Sequence, residues 1–134
     1  MGDADVLIRE EQYDRIVPVM KELGFAEEKG SEWHYVWTSD NLNLELHKYP
    51  IESDVIDCYD HFQNGWIHAK AEEGMRYVMD DVNTFAFLFA HFAKHYISAG
   101  IGCRHVVDLW VYLRSHPQMD QADLKAVLEK MNLW

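Results

Sequence analysis

The sequence predicts an α+β fold in which a small N-terminal mixed or antiparallel sheet precedes a C-terminal helical bundle. The pattern of apolar residues changes near residue 50: before it they alternate with polar residues, as in strands, and after it they recur at helical spacing. With 134 residues, of which 49% are hydrophobic, the chain is long enough for one domain with an ordinary core. We therefore expect a single domain over residues 1–134, with a sheet portion at 1–50 that carries an acidic site and a helical portion at 51–134.

The first predicted elements are a strand and a helix. Residues 4–8 are apolar and include β-branched side chains, which is typical of a strand. Apolar residues then recur at helical spacing over residues 13–23, and Gly24 follows where a helix commonly ends on glycine. Pro18 lies inside this segment, so the helix is expected either to kink there or to begin later.

Two further segments have the alternation of a β-hairpin. Residues 32–38 and 42–48 alternate in polarity, and Ser39, Asp40 and Asn41 between them fit a three-residue connection. In the second segment the leucines face one side of the strand, and the polar residues on the other side are Asn43, Glu45 and His47.

The helical portion begins with an amphipathic region and a long helix. Residues 53–73 are predicted to form one or two amphipathic helices. A longer helix, capped by Asp80 or Asp81, is predicted to run to Ser98 and to end at Gly100.

Two more helices complete the prediction. Residues 104–115 are apolar on nearly all sides, which predicts a buried helix that Pro117 ends. Asp120 is predicted to cap a last helix, whose inward-facing residues are Leu124, Val127, Leu128 and Met131.

The composition excludes several classes of function. The chain has 12 basic and 23 acidic residues and a net charge of −11, which repels a phosphate backbone, so we expect no groove binding to nucleic acid. A nucleotide is still compatible with this charge, because bound metal cations invert the local field. The longest apolar stretch, residues 84–93, is too short to span a bilayer, and no secretory signal is visible. Because Cys58 and Cys103 fit reduced thiols, we expect a cytoplasmic protein with no membrane partner.

Three carboxylates on the predicted strands form the strongest candidate site. Asp3 and Asp5 alternate on one strand, so they share a face, where two like charges repel unless a cation bridges them. If the strand that carries Glu45 is a neighbour in the same sheet, the three carboxylates converge. Three hard oxygen ligands suit Mg²⁺, and such a site fits two-metal phosphoryl or nucleotidyl transfer. The alternative is that acidic residues near a chain terminus are simply solvated.

Three longer segments match a known family pattern in order. They are MGDADVLIREEQYDRIVPVMKELGF, LNLELH and HFAKHYISAGIGCRHVVDLWVYL. On these segments the chain resembles an uncharacterised bacterial family of nucleotidyltransferase-like proteins, within the wider nucleotidyltransferase superfamily. The positions that match are Asp3 and Asp5, residues 23–25, Glu45 and His47, His91 with Lys94 and His95, and Gly100, Gly102, Arg104 and Asp108.

The resemblance implies a nucleotidyltransferase-like half-core and a metal-dependent transfer of a nucleotide. Asp3, Asp5 and Glu45 would be the catalytic residues and the ligands of Mg²⁺ or Mn²⁺, and Glu45 would also serve as general base. The donor would be a nucleoside triphosphate such as ATP, and the acceptor an unidentified hydroxyl or amine. The alternative function is a non-catalytic binding or interaction module, either antitoxin-like or a remnant of an enzyme.

The chain departs from the superfamily pattern at its beginning. In the superfamily, a strand, a Gly-Ser or Lys-Gly turn and a helix precede the Asp-x-Asp strand and hold the nucleotide phosphates. Here only Met1 and Gly2 precede Asp3, so we expect catalysis to require a phosphate-binding turn from another chain. The first strand would also have an exposed edge, which predicts a homodimer formed by strand pairing.

Basic and histidine residues of the helical portion are candidate contacts for substrate phosphate. His91 and His95 are four residues apart on one helix face with Lys94 beside them, and the guanidinium of Arg104 suits phosphate. Zinc is an alternative for the two histidines, but no third ligand is obvious. A structural role is equally compatible with the spacing, through hydrogen bonds to the nearby turn and an ion pair between Arg104 and Asp108.

One further histidine is a site candidate. His47 lies two residues after Glu45 on the same strand face, so it is predicted to orient the acidic site or to contact the substrate. The histidines interpreted as surface or packing residues are His34, His61, His68 and His116.

Overall fold

The computed structural model describes residues 2–51, 58–74, 76–98, 100 and 102–134, and it has the predicted α+β architecture. The chain divides into two compact units, Met1–Pro50 and Ile51–Trp134. The first unit holds a mixed four-stranded sheet with one helix, and the second holds most of the helices.

The sheet of the first unit combines a parallel pair with two antiparallel pairs. Its elements are β1 (Gly2–Leu7), a short 3-10 helix (Glu10–Gln12), α1 (Tyr13–Glu22), β2 (Ala26–Glu28), β3 (His34–Thr38) and β4 (Leu42–His47). The strand order is β1-β4-β3-β2, and β1 runs parallel to β4. The predicted hairpin is therefore confirmed as β3 and β4. Strand β2 was not predicted, because all three of its residues are exposed and give no alternation.

One face of this sheet is apolar and forms the core of the first unit. The fully buried Trp37 of β3 and the buried Leu46 of β4 lie on this face, together with Met20 from α1. Burial of a leucine side chain contributes roughly 1.5–3 kcal/mol to folding. Strand alternation therefore leaves the opposite face of β4, with Glu45 and His47, for polar side chains.

Helix α1 is anchored to the sheet through an aromatic contact. The rings of Tyr13 and Tyr35 stack with centroids 3.5 Å apart, and the Tyr13 hydroxyl donates a hydrogen bond to Glu27 at 2.5 Å. Burial, together with this acidic partner, raises the pKa of Tyr13 above its usual range. The helix begins at Tyr13 and contains Pro18, so of the two predicted alternatives, a kink or a later start, the later start is excluded. Gly24 follows the helix at φ 83°, as predicted for a glycine that ends a helix.

The second unit is built mainly from three helices. Its elements are α2 (Tyr59–Phe62), β5 (Lys70–Ala71), β6 (Tyr77–Val78), α3 (Asp81–Ser98), α4 (Cys103–Ser115) and α5 (Gln121–Lys130). Both predicted caps are present: an Asp80 carboxylate oxygen accepts the Asn83 N–H at 2.9 Å, and Asp120 accepts those of Ala122 and Asp123. The core of this unit lies between α3 and α5 and includes Ile51, Cys58, Phe62, Phe85, Ala86, Ala90, Leu124, Leu128 and Met131.

The prediction of amphipathic helices over residues 53–73 was wrong where the structure can test it. Residues 52–57 lie outside the described part of the chain, and residues 58–73 contain only the four-residue α2 and a short strand. The chain leaves the helix at Gln63 and Gly65, which have positive φ angles of 47° and 82°. The dipeptide of Asn64 and Gly65 is a recognised turn signal, and it outweighs the apolar spacing here.

The prediction that residues 104–115 form a buried helix was right about the helix and wrong about its burial. Helix α4 has no buried residue among its thirteen. Only Leu109 and Tyr112 pack against the core, while its exposed apolar side chains are Val106, Val107, Trp110, Val111 and Leu113. A helix that is apolar on all sides does not show in its sequence which face packs, so the prediction overestimated how much of α4 is buried. Within the described residues, no helix has the length and apolar character needed to cross a bilayer.

Candidate functional site

The polar face of the first unit's sheet brings four ionisable residues onto three adjacent strands. In the parallel pairing of β1 and β4, Asp5 is the direct partner of Glu45. In the antiparallel pairing of β3 and β4, His34 is the direct partner of His47. Glu45 and His47 are two residues apart on β4 and therefore share a face. The strands that carry Asp5 and Glu45 are therefore neighbours in the sheet, which is the condition for these two carboxylates to converge.

His47 lies between the two carboxylates. Its Nε2 atom is 3.4 Å from Asp5 Oδ1 and 3.3 Å from Glu45 Oε2. This nitrogen is buried and makes no hydrogen bond to any residue that the structure describes. The side chain of His47 is 15% exposed, compared with 33% for Glu45 and 56% for Asp5. His47 Nε2 therefore lies beside both carboxylates on the polar face of the sheet, and its predicted role in orienting the site stays a prediction.

His34 is the fourth residue of this group. From the sequence, it was interpreted as a surface or packing residue. Its Nε2 atom is 3.9 Å from Glu45 Oε2, and its ring centroid is 5.1 Å from that of His47. Its other ring nitrogen, Nδ1, is 3.2 Å from the hydroxyl oxygen of Ser31. A sequence signal was available for its face, because the alternation that puts Trp33, Tyr35 and Trp37 on one side of the strand puts His34 on the other. Its pairing with His47 did not follow from the predicted connection at residues 39–41, which would pair Thr38 with Leu42, whereas the structure pairs Thr38 with Asn43.

The third predicted carboxylate, Asp3, is placed only by its backbone. It pairs with Asn43 in the register of β1 and β4, two positions before Asp5 on the same strand. The side chain of Asp3 lies outside the described part of the structure. Its predicted role as a metal ligand therefore stays a prediction.

Three of these side chains are close enough to bind a common cation. One potential ligand atom from each of His34, Glu45 and His47 lies within 4.8 Å of the other two, and all three residues are partly buried. A carboxylate oxygen and two imidazole nitrogens fit a divalent metal ion, and Asp5 would add a second oxygen. The arrangement can hold a divalent cation on the polar face of the sheet.

The nearest basic side chain in sequence, Lys48, has another partner. Its Nζ atom is 3.2 Å from Glu10 Oε1 and 4.7 Å from the centroid of the Tyr35 ring. Burial alone would lower the pKa of Lys48, but the ion pair with Glu10 and the contact with Tyr35 outweigh it, so the pKa is raised. Lys48 is therefore charged, and its charge balances Glu10.

In the second unit, the predicted pair of histidines is joined by a third. The Nε2 atoms of His91 and His95 are 3.0 Å apart, as their spacing on α3 predicts. The ring of His105 on α4 has its centroid 6.5 Å from that of His91 and 5.8 Å from that of His95. His105 Nδ1 is buried and has no hydrogen-bond partner in the described parts of the chain. Sequence reasoning missed His105 because only the packing of α4 on α3 brings it near.

The remaining candidates of the second unit include the predicted ion pair. Arg104 Nε is 3.9 Å from Asp108 Oδ2, and the two side chains are 89% and 60% exposed. An ion pair this exposed contributes little to stability, and the guanidinium remains accessible to solvent. Lys94 lies on α3 and is partly buried. A role of these residues in binding phosphate stays a prediction.

A family comparison agrees with the acidic strand motif. The model of a family described as "Uncharacterised nucleotidyltransferase" matches residues 1–134, the whole chain. The chain belongs to this nucleotidyltransferase family. No curated protein and no solved structure matches it. In this nucleotidyltransferase family member, Asp5 and Glu45 are the two described carboxylates that meet on the polar face of the sheet.

Proposed function

We propose that this chain transfers a nucleotide from a nucleoside triphosphate to a hydroxyl or amine acceptor, with a divalent metal ion held by Asp3, Asp5 and Glu45. The observation that carries the proposal is the direct pairing of Asp5 with Glu45 on adjacent parallel strands in a member of a nucleotidyltransferase family. Two carboxylates at paired positions repel each other, and a bound cation removes that cost.

The charge of the chain favours such a cation in nucleotide binding. With a net charge of −11, the protein repels a triphosphate unless metal ions reverse the field at the site. A bound divalent ion would supply charge neutralisation at the phosphates and activation of the attacking oxygen. Asp5 and Glu45 would orient that ion, and His47, whose Nε2 atom lies 3.4 Å from Asp5 Oδ1 and 3.3 Å from Glu45 Oε2, would help to orient the site.

The donor and the metal can be tested together by calorimetric titration of ATP in the presence and absence of Mg²⁺ or Mn²⁺. We expect ATP to bind only with the metal, and Asp5→Asn or Glu45→Gln to weaken this binding by about tenfold or more, because each removes a charged ligand. The matched control is Asp14→Asn, which removes an exposed carboxylate from α1 in the same unit. Transfer itself is then followed with nucleoside triphosphates labelled at the α-phosphate.

The alternative function is a nucleotidyltransferase-like module that binds a protein partner without catalysis. The acidic surface favours a basic partner, and the exposed apolar side chains of α4, including Trp110, give that unit a surface for contact. The same titration separates the two functions. A folded chain that binds neither ATP nor metal under any of these conditions contradicts the enzyme and leaves the interaction module.

A further inference from the structure

We propose that His34, Glu45 and His47 bind a divalent transition-metal ion of the Zn²⁺ and Co²⁺ kind in preference to Mg²⁺. The inference deepens the proposed function, since it concerns the ion at the same site, but metal binding is measurable without any transfer reaction. It adds His34, and the metal preference that two imidazoles impose, to the three-carboxylate site.

The sheet fixes the positions of these ligands. His34 and His47 are paired across β3 and β4, and Glu45 precedes His47 by two residues on the same face. The Nε2 atom of His47 is 3.3 Å from Glu45 Oε2, and that of His34 is 3.9 Å from the same oxygen. Ligand atoms bonded to one zinc ion at about 2.0–2.2 Å lie roughly 3.3 Å from each other in a tetrahedral site. Small side-chain rotations are therefore enough to bring these atoms into coordination.

Each imidazole has a nitrogen directed to the site. His34 Nδ1 contacts the Ser31 hydroxyl at 3.2 Å, and when Nδ1 carries the proton, Nε2 has its lone pair toward Glu45. The Nε2 atom of His47 is buried without a hydrogen bond among the described residues, and two carboxylates lie beside it. A nitrogen in this setting is better satisfied by a cation than by the surrounding protein.

The donor set determines which cation is preferred. Imidazole nitrogens favour zinc and neighbouring transition metals, whereas Mg²⁺ prefers an all-oxygen environment and keeps several water molecules. Two histidines with one carboxylate, and Asp5 Oδ1 only 3.4 Å from His47, give a mixed nitrogen and oxygen site. Such a site binds Zn²⁺ or Co²⁺ more tightly than Mg²⁺, and Mg²⁺ occupies it only when those ions are absent.

The test is a titration of the metal-free full-length chain with Co²⁺, followed by the visible absorption that coordinated Co²⁺ shows. We expect Co²⁺ to bind, Zn²⁺ to displace it, and about a hundredfold excess of Mg²⁺ to leave the spectrum unchanged. His34→Gln and His47→Gln should each weaken Co²⁺ binding by about tenfold or more. His116→Gln is the matched control, because His116 Nε2 also lies 3.9 Å from a carboxylate, that of Asp81, and it should bind as the wild type does.

Two results would overturn the proposal. One is a Co²⁺ spectrum that is the same in His34→Gln as in the wild type. Circular dichroism shows whether each variant folds, and His34→Gln tests the proposal even if His47→Gln does not fold. The other is loss of the spectrum in a His91→Gln, His95→Gln double variant, which would place the ion at the histidine cluster of α3 and α4. Co²⁺ binding that depends on His34, without nucleotide transfer, keeps this inference and rejects the proposed function. If His34→Gln transfers nucleotides with Mg²⁺ at the wild-type rate and also binds Co²⁺ as the wild type does, the proposed function is kept and this inference is rejected.

Discussion

Asp5 and Glu45 are direct partners on the parallel strands β1 and β4, and the Nε2 atom of His47 lies 3.4 Å from the first carboxylate and 3.3 Å from the second. Like charges at paired positions on adjacent strands destabilise a sheet. Neighbouring Leu44 and Leu46 face the core instead. Because His47 Nε2 makes no hydrogen bond to either carboxylate, we expect the pair to cost stability in the metal-free chain and metal binding to recover it.

Thermal unfolding should report this coupling between stability and metal. We expect Asp5→Asn to keep or raise the melting temperature of the metal-free chain, because it removes a repulsion. At about a hundred times the dissociation constant, a bound ion should stabilise the wild type by roughly 2.7 kcal/mol, and a tenfold weaker site in Asp5→Asn should lose about half of this gain. Asp14→Asn, on the exposed surface of α1, should keep the full metal-induced shift. A variant that loses stability without metal and keeps the metal-induced shift would contradict this interpretation.

The sequence was sufficient for the elements that build the site, but not for its complete composition. Alternation assigned Glu45 and His47 to one face of a strand and predicted the hairpin, but not its register, in which Thr38 pairs with Asn43 rather than with Leu42. The pairing of β1 with β4 joins segments about forty residues apart, which local sequence patterns cannot predict. The convergence of Asp5 and Glu45 could therefore be predicted only on the condition that these strands are neighbours. His105 approaches His91 only through the packing of α4 on α3, which periodicity does not encode.

A pair of leucine substitutions tests the corrected burial of α4. Leu128 on α5 is 4% exposed and belongs to the core, whereas Leu113 on α4 is 39% exposed. Leu128→Ala should lower the free energy of unfolding by about 2–5 kcal/mol, because it removes buried methyl groups and leaves a cavity. Leu113→Ala makes the same chemical change at an exposed helix position and should cost less than about 1 kcal/mol. Urea denaturation measures both, and equal losses would mean that α4 is as buried as its sequence pattern suggested.

The cap of α5 should make a measurable contribution of its own. The Asp120 carboxylate accepts the backbone N–H groups of Ala122 at 2.9 Å and Asp123 at 3.1 Å. Asp120→Ala leaves those donors without this partner and should destabilise the chain by about 0.5–2 kcal/mol. Asp120→Ser keeps an acceptor and should recover most of the loss, while Gln121→Ala, at the first helical residue, should have little effect. Denaturant titration is the measurement, and a neutral Asp120→Ala would exclude a capping contribution.

His61 predicts an acid-sensitive component of stability in the second unit. Burial, only partly offset by the hydrogen bond to Asn83, lowers the pKa of His61 below its usual value. The Asn83 amide nitrogen donates to Asp80, so its oxygen faces His61 and accepts the Nε2 proton at 2.8 Å. The lone pair of His61 is then on Nδ1, which is buried and has no hydrogen-bond partner among the described residues. A second proton on this ring would therefore place an unpaired charge in the core.

The direction of the pH effect follows from this lowered pKa. The unfolded chain takes up the proton near its ordinary pKa of about 6.5, while folded His61 remains neutral, so stability is complete above that pH and decreases below it. In His61→Gln this contribution is absent, so its stability deficit relative to the wild type should shrink between about pH 7.5 and about pH 5.5. Phe62→Leu, at the neighbouring buried position, has no titrating group and should show a deficit that does not change with pH. If the His61→Gln deficit instead grew on acidification, folded His61 would have to be protonated, because only a charge-stabilised imidazolium becomes more valuable as the pH falls.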